Sequence, residues 1–135
     1  MLTLNDVKNQ VDQLAKVINA PGELLPTYGS SKDFAHPHIE IHGPSYYYII
    51  IERGQEIENK GTFELDELLY WIFQHVTFSM AMIYELEHRR LHADIRRLLW
   101  RYQLDLLNNL NKNWEKRREQ EVEEILKRHP YSDIN

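Results

Sequence analysis

The sequence predicts an α+β fold, a small three-stranded antiparallel sheet packed against about four α-helices. Three observations carry that expectation. Residues 38–63 hold three short runs that alternate in polarity or are rich in β-branched and aromatic residues, separated by turn dipeptides. Residues 65–129 show helical periodicity almost throughout. Between them, Leu68 to Tyr84 runs seventeen residues without an Asp, Glu, Lys or Arg.

That uncharged run reads LLYWIFQHVTFSMAMIY. A membrane-spanning helix needs roughly 20 apolar residues, and Gln74, His75, Thr77 and Ser79 suit lipid badly. Its N-terminal flank carries only acids, Asp66 and Glu67, where an anchored span would carry bases. The run therefore predicts a nearly all-apolar central helix, opened by Asp66 and ending near Arg90, buried as the pillar of a soluble domain.

The other elements follow in order. Thr3 or Asn5 caps a first helix over residues 1–20, with Leu4, Val7, Val11, Leu14 and Ile18 along one face. Pro21 and Gly22 end it, and residues 21–37, with three prolines, read as a surface loop. His38–His42 alternates, with Ile39 and Ile41 on one face; Gly43-Pro44 turns the chain into Tyr46–Ile51. Arg53-Gly54-Gln55 turns it again, and Glu56–Phe63 returns as the third strand of a meander spanning 38–63. A third helix is predicted from His92 to Leu110, with Ile95, Leu98, Leu99, Tyr102, Leu106 and Leu110 inward and Arg96, Arg97, Arg101 and Asn108 outward. Asn111 or Asn113 caps a last helix from Trp114 to about Arg128, whose apolar stripe (Trp114, Val122, Ile125, Leu126) is thin, and Pro130 stops it. The 135 residues are expected to form a single domain, 1–135.

Composition narrows the function. Cysteine is absent, which excludes disulfides, thiolate metal sites and cysteine nucleophiles. The N-terminus lacks a secretory pattern, so a cytoplasmic protein is expected. The net charge is −5, unevenly spread: Glu52 to Glu87 holds eight acids against two bases, and His88 to Arg101 holds five arginines against Asp94. An acidic middle suits a surface that meets something basic and argues against nucleic-acid binding.

Candidate chemistry is sparse. His38, Glu40 and His42 alternate along one strand face, with His36 just before, in a spacing able to hold zinc; an ordinary polar strand face shows the same pattern. Glu85, His88 and His92 have the spacing of half a di-iron site, but Glu85 is better matched to Arg89 at i+4. Arg96, Arg97 and Arg101 with Trp100 resemble a phosphate-binding face, yet they can pair with acids of the chain itself. No Walker loop, dinucleotide glycine pattern, nucleophile elbow or HExxH motif occurs. The expectation is a non-enzyme with no cofactor and no metal.

Several segments, in order, resemble a known family: YYYIIIERG at 46–54, LDELLYWIFQHVTFSMAMIYELEHR at 65–89, DIRRLLWRYQLDLL at 94–107, WEKRR at 114–118 and EVEEILKRHPYSD at 121–133. Together they are similar to family 63 of the bacterial immunity proteins of polymorphic-toxin systems, over roughly residues 38–133, most specifically in LDELLYW and VTFSMA. The resemblance implies an antitoxin that binds a cognate toxin domain and carries no catalytic residues. An acidic face occluding a toxin, such as a nuclease with a basic cleft, then has as contact residues Glu52, Glu56, Glu58, Asp66 and Glu67, with Tyr46 or Tyr48 as aromatic anchor. The alternatives are a regulatory or structural module that homodimerises through the last helix, and a metal-dependent enzyme built on His38, Glu40 and His42.

Overall fold

The computed structural model describes residues 2–134; Met1 and Asn135, the ends of the expected domain, lie outside the described residues. The chain forms two compact units, Met1–Ile72 and Phe73–Asn135.

In the first unit, α1 (Leu4–Val17) begins at a capping box: the Thr3 hydroxyl accepts from the Asp6 amide, and the Asp6 carboxylate accepts from the Thr3 amide. It buries Val7, Val11 and Ala15 along one stripe. The sheet has four strands in the order β1-β2-β3-β4: β1 (Thr27–Tyr28), β2 (Pro37–His42), β3 (Ser45–Glu52) and β4 (Gln55–Thr62). β2, β3 and β4 form the expected antiparallel meander. The expected three-stranded antiparallel sheet is corrected by β1, which pairs parallel to β2 through Thr27–His38 and Tyr28–Ile39. Two residues between Pro26 and Gly29 are too few to show alternation, so this strand left no periodic signal. Arg53 (φ 53°) and Gly54 (φ 75°) both take left-handed backbone, which a two-residue type I′ hairpin requires.

Register sorts the side chains onto two faces. Ile39 lies opposite Tyr48, and Tyr48 opposite Lys60; this face buries Ile39, Tyr46 and Tyr48. Tyr48 meets Trp71 edge-on at 6.5 Å, and Lys60 Nζ lies 4.7 Å from the Trp71 ring centre. Trp71 comes from α2 (Leu65–Glu87), whose Leu68, Leu69, Tyr70 and Ile72 are buried. The second face carries His38, Glu40 and His42 of β2 beside Ile49 and Tyr47 of β3. Its His38–Ile49 end is buried; its His42 end is open.

The second unit comprises the remainder of α2, α3 (Ile95–Leu110) and α4 (Lys112–Arg128). Ala81, Leu99, Trp100 and Val122 form its buried cluster, with Phe78, Tyr102, Ile125 and Leu126 against it. α4 thus spends its thin stripe inside this unit. α2 stops at Glu87 instead of Arg90, and α3 starts at Ile95 instead of His92. The cause is local: His92 sits at φ 69°, and Asp94 caps α3 by accepting from the Arg96 amide. The buried stripe of α3 also includes Trp100, Gln103 and Leu107, while Ile95 is 45% exposed. Nor is the pillar buried to its end, since Met82, Ile83 and Leu86 are more than half or half exposed on one side.

A polar hub sits in this core. Gln103, fully buried, donates through Nε2 to the Gln74 carbonyl (3.0 Å) and Thr77 Oγ1 (3.2 Å), and its Oε1 accepts from Arg118 Nε (3.1 Å). Arg118 continues to Glu121 at 3.1 Å. At the start of α3, Asp94 accepts from Arg96 and from the Ser132 amide, and Asp133 accepts from Arg97 and the Asp94 amide. These bonds hold residues 129–134 against the helix, and they keep the Asp94 carboxyl well below the usual carboxylate range, the Arg96 guanidinium being the larger cause.

Two expectations follow. Gln103→Ala removes the acceptor of the buried Arg118 Nε, while Arg118 keeps Glu121 and the Thr77 hydroxyl keeps the Phe73 carbonyl. It should lower unfolding free energy by about 1–3 kcal/mol in urea titrations; a loss under about 0.5 kcal/mol would show the hub to be dispensable. Because Asp94 has a depressed folded pKa, its contribution is fully present above the unfolded value near 3.8 and is lost as pH falls below it. Asp94→Asn should therefore flatten the stability–pH curve on the acid side, measured by melting temperature between pH 2 and about 6.

Candidate functional site

The open part of the second sheet face is built from three strands. Glu40 lies between its two histidine neighbours on β2: His38 Nε2 donates to Glu40 Oε2 and His42 Nε2 donates to Glu40 Oε1, each at 2.6 Å. Both protons come through Nε2, so a neutral ring keeps Nδ1 as acceptor. His38 is 1% exposed and its Nδ1 has no partner in the structure, whereas His42 is largely exposed. The two imidazoles hold the Glu40 carboxyl below its usual range, His38 contributing first and then His42. The arrangement fixes a carboxylate at the surface. The ring nitrogens are turned to that carboxylate, and among the described residues no group of three or more His, Cys, Asp or Glu is disposed to hold a metal ion.

Beside it stands Tyr47, opposite Glu40 on one side and Gly61 on the other. Its ring lies over β4 and meets His42 at 5.6 Å between ring centres. Gly61 is required there: a Cβ would fall 2.7 Å from Tyr47 Cε1. Ser45, Tyr47, Gly61, Thr62, Phe63 and Glu64 line a shallow groove at this end of the sheet. Phe63 is 74% exposed at its lip, and Ile57 is 56% exposed farther back along β4.

The residues expected to contact a partner fall in three places. Tyr46 and Tyr48 are buried on the opposite face, 4% and 3% exposed, so neither is a surface anchor. Tyr46 accepts from the Leu2 amide at 3.4 Å, and burial, with Glu58 nearby, raises the Tyr48 phenol above its ordinary range. A triple tyrosine alternates whichever face is covered, and packing put Tyr47 on the open one. Glu52 and Glu56 are exposed near the β3–β4 turn, and Glu56 accepts from Asn59 at 3.1 Å. Glu58 is half-exposed and paired with Lys60 at 3.2 Å. Asp66 and Glu67 occupy the first turn of α2, where acid complements the helix dipole. The acids are therefore strung along β4 and into α2, not gathered into one patch. Sequence reasoning missed Tyr47, Phe63, Ile57 and Glu64 as surface groups; the signal was present only as two large apolar residues flanking a charged strand.

Most members of the other candidate clusters are engaged internally. Arg89 grips the buried Glu85 with two bonds, at 2.9 and 3.1 Å, as the i+4 spacing implied. His88 donates to the Tyr84 carbonyl and stacks on the Tyr84 ring, and His92 lies beyond the helix end. Arg96 and Arg97 are matched to Asp94 and Asp133, and Trp100 is buried.

The family model for immunity protein 63 matches residues 42–124, from the end of β2 to the last turns of α4. The chain belongs to the immunity protein 63 family. No curated protein and no solved structure gives a significant match. The matched span of this immunity-family chain takes in β3, β4 and α2, and with them Tyr47, Gly61 and the acids of β4.

The Tyr47–Gly61 contact is measurable. Gly61→Ala should cost about 1 kcal/mol in the parent and nothing, or a slight gain, when Tyr47 is already Ala, because alanine suits a strand better than glycine once the ring is gone. Urea unfolding of the four-member cycle should give a coupling near 1 kcal/mol; additive single changes would mean the ring swings aside freely.

Proposed function

We propose that this immunity-family chain neutralises a cognate toxin domain in the cytoplasm by stoichiometric binding, with no chemistry of its own. The observation that carries the reading is the exposed acidic strand β4 beside the Tyr47–Phe63 groove, within the span matched by the family. Glu52, Glu56 and Glu58, extended by Asp66 and Glu67, supply long-range attraction for a basic surface such as a nuclease cleft. Tyr47 takes the aromatic role first given to Tyr46 or Tyr48. Binding that covers a toxin's cleft excludes its substrate, and this needs affinity alone.

Glu56→Lys combined with Glu58→Lys should slow association with the toxin domain encoded beside this gene about 10-fold at low salt. The difference should shrink above roughly 0.5 M salt, where screening shortens to a few ångströms. Surface-captured binding kinetics at several salt concentrations check this. Identical association rates for parent and variant at low salt would remove the steering role of β4. Co-expression, asking whether the chain rescues cells carrying the toxin domain, tests the reading itself.

A further inference from the structure

The sheet has two edges of unequal length. β1 is two residues long, while β4 is eight, and among the described residues no strand lies beside β4 on the side away from β3. Every second residue of such a strand directs its N–H and C=O outward. A long open edge pairs readily with copies of itself unless charge opposes it. β4 carries Glu56 and Glu58, with Glu52 and Arg53 at the turn and Glu64 beyond its end. Its one base, Lys60, pairs with Glu58 and lies against the Tyr48 and Trp71 rings, so those two charges cancel and Glu52, Glu56 and Glu64 are left to outweigh Arg53. The edge is thus acidic: a second copy brings like charge, and a basic strand is favoured by the same feature that disfavours the copy.

The ends of the edge fit an extended guest. β4 bulges at Ile57, the residue left over where Ile50 faces Glu58 and Ile51 faces Glu56. From Glu58 to Thr62 the register with β3 is regular, leaving five residues of straight edge. Exposed apolar groups stand at either end, Ile57 before it and Phe63 after it. Gly61, bare of a side chain, gives close backbone access beside the Tyr47 ring.

Resting on the reading of the chain as a toxin-binding immunity protein, we infer that β4 is the docking edge. A basic, extended segment of the toxin domain adds to Glu58–Thr62 as a fifth strand, main chain to main chain, and seats an apolar side chain against Tyr47 and Phe63. Backbone pairing supplies much of the affinity, and the acids and the groove select the segment.

The test uses the full chain with the toxin domain encoded beside its gene. Asn59→Pro and Lys60→Pro remove adjacent amide protons, of which one faces β3 and the other faces out. The variant that keeps the parental melting temperature is the one altered at the open edge. Its affinity for the toxin domain should fall at least about 100-fold; unchanged affinity overturns the proposal. A second measurement needs no variant. In the isotope-labelled complex, backbone protons of Glu58–Thr62 should show cross-strand contacts to toxin backbone protons at alternate residues. A stable complex lacking them overturns edge docking and leaves the immunity reading standing. Failure of the chain both to bind the toxin domain and to rescue cells overturns the two together.

Discussion

Keeping the uncharged run of α2 out of water is the constraint on which both units depend. Leu68, Leu69, Tyr70 and Ile72 are buried in the first unit, and Phe73, Val76 and Ala81 in the second. At about 1.5–3 kcal/mol for each large side chain removed from water, this one helix supplies a major part of the drive to fold. In the first unit the sheet's Tyr46–Tyr48 face is covered in company with Trp71. In the second, Phe73 stacks on Trp114 at 6.1 Å, tying α2 to α4. The helix is too apolar for its setting only at its end, where Met82, Ile83 and Leu86 meet solvent.

An apolar core of this kind leaves register loosely fixed, because one aliphatic contact resembles another. The hub at Gln103 answers that in the second unit. Its amide has definite partners, donating to α2 and accepting from Arg118 of α4, so a sliding of α3 by one turn breaks every bond at once and leaves buried groups unpaired. The Asp94–Arg96 pair, largely covered, and the half-exposed Asp133–Arg97 pair fix the opposite end of α3. Arg96 and Arg97 are thereby spent in holding the chain to itself.

The surface available to a partner in the first unit is what packing left uncovered. The Tyr46 face is spent on the core, so the opposite face, with Glu40 held between two histidines and Tyr47 laid over Gly61, is the one presented at its His42 end. Immunity by occlusion asks for such a surface and for no catalytic group. The engaged states of Glu85, His88, Arg89, Arg96 and Arg97 fit that division of labour.

By itself the sequence determined the helices, the meander and the acid balance of the middle of the chain, because these follow from local periodicity, turn chemistry and composition. Thr3, Asn111 and Pro130 marked helix ends through bonds made or forbidden within a few residues. The family was legible too, through LDELLYW and VTFSMA, whose residues serve mainly the core. Only the tertiary structure decided which tyrosine faces out, since alternation fixes parity along a strand but not which side receives the helices. It alone decided that two residues at Thr27–Tyr28 extend the sheet in parallel, a pairing held by a neighbour and not by local pattern. And it alone decided that the added strand joins beside β2 and leaves β4 uncovered on its outer side, because the surroundings of a strand are a property of the whole sheet and no single segment encodes them.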